Sequence, residues 1–126
     1  MKESAIMSGA SQIIQGILHF QERVFGGKQS LFRRLGNTQS PLALFITCSD
    51  SRIDPNLLTQ TQPGELFILR NAGNLVPPSS IPSGEGATIE FALKQLHIHD
   101  VIVCGHSNCG AMRGIISQSA SRGAEK

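Results

Sequence analysis

The chain has 126 residues, a formal net charge of +2, 40% hydrophobic residues and 16% charged residues, enough for one packed domain spanning residues 1–126 and too apolar for a disordered chain. The basic surplus is spread along the sequence with Arg33-Arg34 as its one basic pair, and no aromatic residues interleave with it, so no nucleic-acid partner is expected. No stretch approaches the roughly 20 apolar residues that cross a bilayer, so no membrane partner is expected either.

The opening MKESAIMSGA carries no apolar leader core, and a cytoplasmic location, carboxysome association included, is the expectation. Ile14, Ile17, Leu18 and Phe25 then recur near helical spacing, which predicts an amphipathic helix over 11–25 with Ser11 as its N-cap, ended by Gly26-Gly27. SLFRRL adds a further helical turn. Pro41 opens LALFIT, apolar on both faces, which predicts a strand covered on both sides as in a parallel α/β sheet. Asp54 caps a short helix with Pro55 at its first position, and Pro63-Gly64 turns the chain into a second strand, ELFILR. The irregular stretch NAGNLVPPSSIPSGEG follows, and a loop this long in a compact domain tends to be functional. Ile89, Ala92, Leu93 and Leu96 mark a helix over 87–96, DVIVCG a third strand, and HSNCGAMRGIISQ the start of another helix. SQSASRGAEK reads as a solvated tail. Strand, helix, strand in this order predicts an α/β fold with a mostly parallel sheet flanked by helices, whose ligands gather at the carboxyl ends of strands.

The three cysteines cannot all pair, and a reducing compartment favours free thiols or metal ligands. Cys48 closes the first strand, while His106 and Cys109 form a local H-x-x-C pair after the third. Two local ligands and one distant contributor suit a zinc ion, and three protein ligands leave a fourth position for water, the pattern of a catalytic site. Taken singly, a cysteine ending an apolar strand is an ordinary small core residue, and Cys104 inside VIVC keeps that reading. Asp50 and Arg52 alone could be a plain surface ion pair. It is the coincidence at two neighbouring strand ends that points to metal. VIVCGHSNCG also looks like a nucleophile elbow around Ser107, but Cys109 stands where its last glycine belongs, and no histidine or aspartate follows Ser107 to complete a triad. Cys104 and Cys109 lack the C-x-x-C spacing of disulfide exchange.

Four motifs in order, Cys48-Ser49-Asp50-Ser51-Arg52, RNAGNLVPP at 70–78, GATIEFAL at 86–93 and GHSNCGAM at 105–112, closely resemble the β-class carbonic anhydrases, above all the plant and cyanobacterial branch. The resemblance covers about residues 12–118. It implies that Cys48, His106 and Cys109 ligate one zinc per chain and that Asp50 and Arg52 form the catalytic dyad of a lyase interconverting CO₂ and bicarbonate. The metal lowers the pKa of a bound water from about 16 toward 7. Asp50 then orients that oxygen while Arg52 holds Asp50 off the metal by a charge-assisted pair. In an extended chain Cys48, Asp50 and Arg52 would project to one side.

The resemblance also places substrate at Gln39, Phe67 and Ala72, in an apolar pocket completed across a dimer, so a homodimer or higher homo-oligomer is implied. Phe91 stands where the plant-like branch often has tyrosine, and Phe45 where the bicarbonate-regulated branch has tryptophan. Family members continue beyond Lys126 with further helices and another strand, so the C-terminal part of the fold is expected to be missing and a sheet edge to lie open. Two other readings share the scaffold: a catalytically silent zinc-binding paralogue or assembly partner, and a hydrolase of CS₂ or COS.

Overall fold

The computed structural model describes residues 7–124; the opening MKESAI and the last two residues of the expected tail lie outside them. The chain forms two compact units that divide between Thr38 and Gln39. In the first, helix α1 spans Gly9–His19, and the extended Ser8 caps it by accepting the Ser11 N–H at 3.1 Å. Ser11, expected as the cap, is the residue that donates to it. Gly26-Gly27 do not end the winding: a π-helical turn, Phe20–Val24, and a 3₁₀ segment, Phe25–Lys28, lead straight into α2, Gln29–Asn37. Each glycine costs a helix about 1 kcal/mol. The rings of Phe20, Phe25 and Phe32, with centroids 5.5–5.9 Å apart, offset that cost by packing on one another.

The second unit is built on a parallel sheet of order β2-β1-β3, with β1 Ala43–Cys48, β2 Leu66–Asn71 and β3 Val101–Cys104. Central β1 is buried at every position, as its two-sided apolar pattern predicts. Leu44 and Ile46 pack with Leu69, Ala92 and Ile98, and Phe67, Ile89 and Leu96 flank that core. Between β1 and β2 lies α3, Pro55–Thr59, capped as expected: Asp54 accepts the Leu57 N–H, and Pro55 needs no donor there.

Helix α4, Gly84–Glu90, begins before Ala87 because the Ser83 hydroxyl captures the Gly86 N–H at 3.0 Å, and it passes into a π-helical turn, Phe91–Gln95. Strand β3 is as apolar as predicted but lies at the sheet margin, where Val101, Ile102 and Val103 are exposed. Cys104 closes that strand half-buried and outside the main core cluster, in place of the packed mid-strand position expected of it. The last helix, α5, runs from Gly110 to Ala124, so most of the expected loose tail is helical, although it is exposed through Ala120. Among the described residues no helix is long and apolar enough to cross a membrane.

Candidate metal centre

Parallel pairing decides where the site forms. Cys48 is in register with Asn71 and Thr47 with Cys104, so three carboxyl strand ends open on one edge of the sheet. The turns beyond them bring the ligand atoms of Cys48, His106 and Cys109 within 4.8 Å of one another, with Cys48 and Cys109 buried. Their sulfurs are 3.9 Å apart and both thiols are free. Two sulfurs each about 2.3 Å from a single tetrahedral zinc would lie roughly 3.8 Å apart, so the spacing fits a shared ion. His106 supports the same assignment. Its Nδ1 lies 2.8 Å from the Ser107 carbonyl, which fixes the proton there, while Nε2 is buried with no hydrogen-bond partner among the described residues. An imidazole nitrogen with no hydrogen-bond partner, beside two sulfurs, is a donor set that fits a cation. Cys104 is outside the cluster.

Gly73 N–H donates to the Cys48 sulfur at 3.2 Å. Its φ of +88° suits glycine, and a Cβ there would meet the Ala111 Cβ at 3.0 Å. That N–H, then His106 and the Asp50 backbone, lower the Cys48 pKa to about 6. The Cys48 sulfur in turn raises the pKa of His106. Each group thus favours the charged form of the other.

The dyad is local, but an extended chain does not make it. After Cys48 the backbone turns, and the turn closes with Ile53 N–H on the Asp50 carbonyl at 3.1 Å. Arg52 thereby reaches Asp50 three times: its backbone N–H and Nε each donate to Oδ1 at 2.9 Å, and Nη2 donates to Oδ2 at 2.6 Å. The guanidinium holds the Asp50 carboxyl well below the usual carboxylate range. Asp50 Oδ2 lies 3.8 Å from His106 Nε2, so the carboxylate borders the cluster while Arg52, 62% exposed, holds it from the solvent side. Arg52 Nη2 also donates to the Asn108 carbonyl, and Arg113 Nη2 to Asn108 Oδ1, fixing the left-handed Asn108 between the two ligands His106 and Cys109.

Gln39, Phe67 and Ala72 are not drawn together in this way. Gln39 is exposed before β1, and Ala72 is exposed in the turn after β2. Phe67 pairs in register with Leu44, four residues down the strand from Cys48, a separation of roughly 13 Å at about 3.3 Å per residue. There it stacks on Phe91 with centroids 5.9 Å apart. Two residues without an assigned role hold the Cys48 turn instead: Gly73 through the sulfur, and Arg70 through three backbone carbonyls. Their one trace in the sequence is an Arg-Asn pair followed closely by glycine at the end of an apolar run.

The family profile described as carbonic anhydrase matches residues 43–126. A carbonic anhydrase of Synechococcus elongatus is 53% identical over 106 residues, which is 83% of this chain and 39% of that relative. The solved β-carbonic anhydrase CcaA superimposes with a TM-score of 0.86 at 48% identity, covering 90% of this chain and 55% of that one. A Sordaria macrospora structure, described as one of two tetrameric β-carbonic anhydrases, does so at 0.63 and 33% identity, covering 85% and 50%. The chain thus spans 39% of that curated relative and about half of each solved chain.

Purified protein should carry one zinc per chain, and Cys48→Ala, His106→Ala and Cys109→Ala should each lose most of it while Cys104→Ala keeps it. Elemental analysis showing equal loss in Cys104→Ala would overturn the ligand set. In metal-free protein, the ultraviolet thiolate absorbance lost in Cys48→Ala should titrate in the wild type near pH 6, below the ordinary 9.0. Because the folded value is depressed, the thiolate's contribution to stability is complete above 9.0 and is lost as pH falls through about 6. A midpoint near 9 would show that the Gly73 N–H does not reach the sulfur in solution.

Proposed function

The chain belongs to the carbonic anhydrase family, in its β class, and on that premise we propose that it interconverts CO₂ and bicarbonate with a zinc ion held by Cys48, His106 and Cys109. The observation that carries this reading is the buried, unpartnered His106 Nε2 facing two cysteine sulfurs beside a carboxylate already engaged by arginine. A zinc ion held there would acidify water and so supply the nucleophilic oxygen at neutral pH.

Asp50 acts as an orienting acceptor. Its depressed pKa keeps it ionised across the neutral range, so it accepts a hydrogen bond from the attacking water and carries no proton itself. Arg52 fixes which way the carboxylate faces, through two side-chain bonds to its two oxygens.

The reading extends to assembly as a homodimer or higher homo-oligomer in the cytoplasm. Ile13 and Ile14 on α1 are 67% and 57% exposed, and a second copy would cover them in such an assembly. Phe67 and Phe91 lie away from the chain's own sulfur cluster, where a second copy could use them.

In stopped-flow CO₂ hydration the zinc-loaded chain should turn over, and Asp50→Asn should retain zinc while losing roughly 10²-fold or more in kcat/KM. Zinc-loaded wild type with no hydration above the solvent rate would instead identify a silent zinc-binding module, and turnover of COS or CS₂ alone a hydrolase. Light scattering should give a mass of two chains or more; a monomer would remove the shared-pocket assignment of Phe67.

A further inference from the structure

The bond from the Gly73 N–H to the Cys48 sulfur depends on how the chain turns after β2. The turn closes with the Asn74 N–H on the Asn71 carbonyl at 3.4 Å, and its third residue, Gly73, has φ +88°. A positive φ at that position marks a type II turn, and the type I alternative would flip the Ala72–Gly73 peptide and carry its N–H away from the sulfur. Asn74, at φ +47°, then continues in the left-handed region. Two such residues in succession need support from outside the turn.

Asn71 supplies it. Its side chain takes both backbone groups of Leu75: Oδ1 accepts the N–H at 2.8 Å, and Nδ2 donates to the carbonyl at 2.6 Å. Nδ2 also donates to Glu85 Oε1 at 3.2 Å, in the first turn of α4, so the carboxamide is oriented by an element beyond the loop. The Asn71 main chain holds the other side. Its carbonyl accepts the Ser49 N–H at 2.8 Å, and the residue pairs in register with Cys48. One residue therefore grips both partners of the N–H to sulfur bond, the strand end of Cys48 through its backbone and the Gly73 turn through its side chain.

A thiolate that accepts a hydrogen bond gives less electron density to a metal than a bare one. We propose that Asn71, with its carboxamide held by Glu85, is a positioning residue that keeps the Gly73 N–H on the Cys48 sulfur and so sets the donor strength of that ligand. This rests on the metal reading above and adds two residues to it. Both are half-buried, and Asn71 works through the backbone of its loop.

The test compares wild type, Asn71→Asp, Glu85→Ala and the Asn71→Asp/Glu85→Gln double variant, loaded with cobalt(II) for absorption spectroscopy and with zinc for amide exchange by nuclear magnetic resonance. Asn71→Asp keeps an acceptor for the Leu75 N–H but loses the Nδ2 donor and sets two carboxylates together. It should keep its metal, move the sulfur-to-cobalt charge-transfer band to longer wavelength, and let the Gly73 amide exchange about tenfold faster. In the double variant the new amide on α4 donates to the new carboxylate, remaking the link with its polarity reversed, so both readouts should return part of the way to wild type. Glu85→Ala should show smaller changes in the same direction as Asn71→Asp. An unmoved band or an unmoved Gly73 amide in Asn71→Asp, equal changes with and without Glu85→Gln, or loss of metal from Asn71→Asp would each overturn the proposal. If Asn71→Asp does not fold, wild-type behaviour of Glu85→Ala in both readouts overturns it as well. A wild type that binds neither metal ends the metal reading first, and Gly73 exchange in the metal-free proteins then still decides whether Asn71 places that N–H.

Discussion

Every contact at the metal centre depends on the parallel register that sets Cys48 beside Asn71 and Thr47 beside Cys104. Because β2 and β3 run in the same direction as β1, the turns that follow all three strands leave the sheet at one edge. Had β2 run antiparallel, Gly73 would leave the sheet at the end away from Cys48 and its N–H could not reach the sulfur. The buried six-residue β1 makes that edge stiff, since shifting it would disturb Leu44 and Ile46 in the core. Metal ligands mounted this way need little reorganisation to accept an ion.

Carbonyl groups at strand ends lose their ladder partners, and here side chains from neighbouring strand ends and turns supply the donors. Thr47 bonds the Cys104 carbonyl, Arg70 bonds the carbonyls after β1, and Arg52 bonds that of Asn108. The turns after β1 and β3 are thus each held by a donor from outside the turn. The same lacing balances charge, since guanidinium groups lie close to the one carboxylate and the thiol-bearing turns. Asp50 stays ionised because Arg52 favours its charged form directly, and Cys48 approaches the thiolate because a backbone N–H is aimed at its sulfur.

What the amino-acid sequence determined by itself was whatever depends on neighbours within a turn or a strand. The two-sided apolar run of β1, the Asp54-Pro55 helix start and the H-x-x-C pair are all local patterns, and each formed as expected, as did the parallel sheet they imply. Where local signals competed, they were less decisive: Gly26-Gly27 read as a stop until three phenyl rings carried the helical path through. The Asp50–Arg52 pair is local as well, although it forms on a turn and not in an extended chain, whereas tertiary structure alone decided that β3 lies at the margin and that His106 Nε2 has no partner among the described residues. It also decided the roles of Gly73 and Arg70, whose partners lie 17 to 25 residues away in sequence. No local pattern encodes such a pairing, because a hydrogen bond between two strand ends exists only after the sheet register has brought them together.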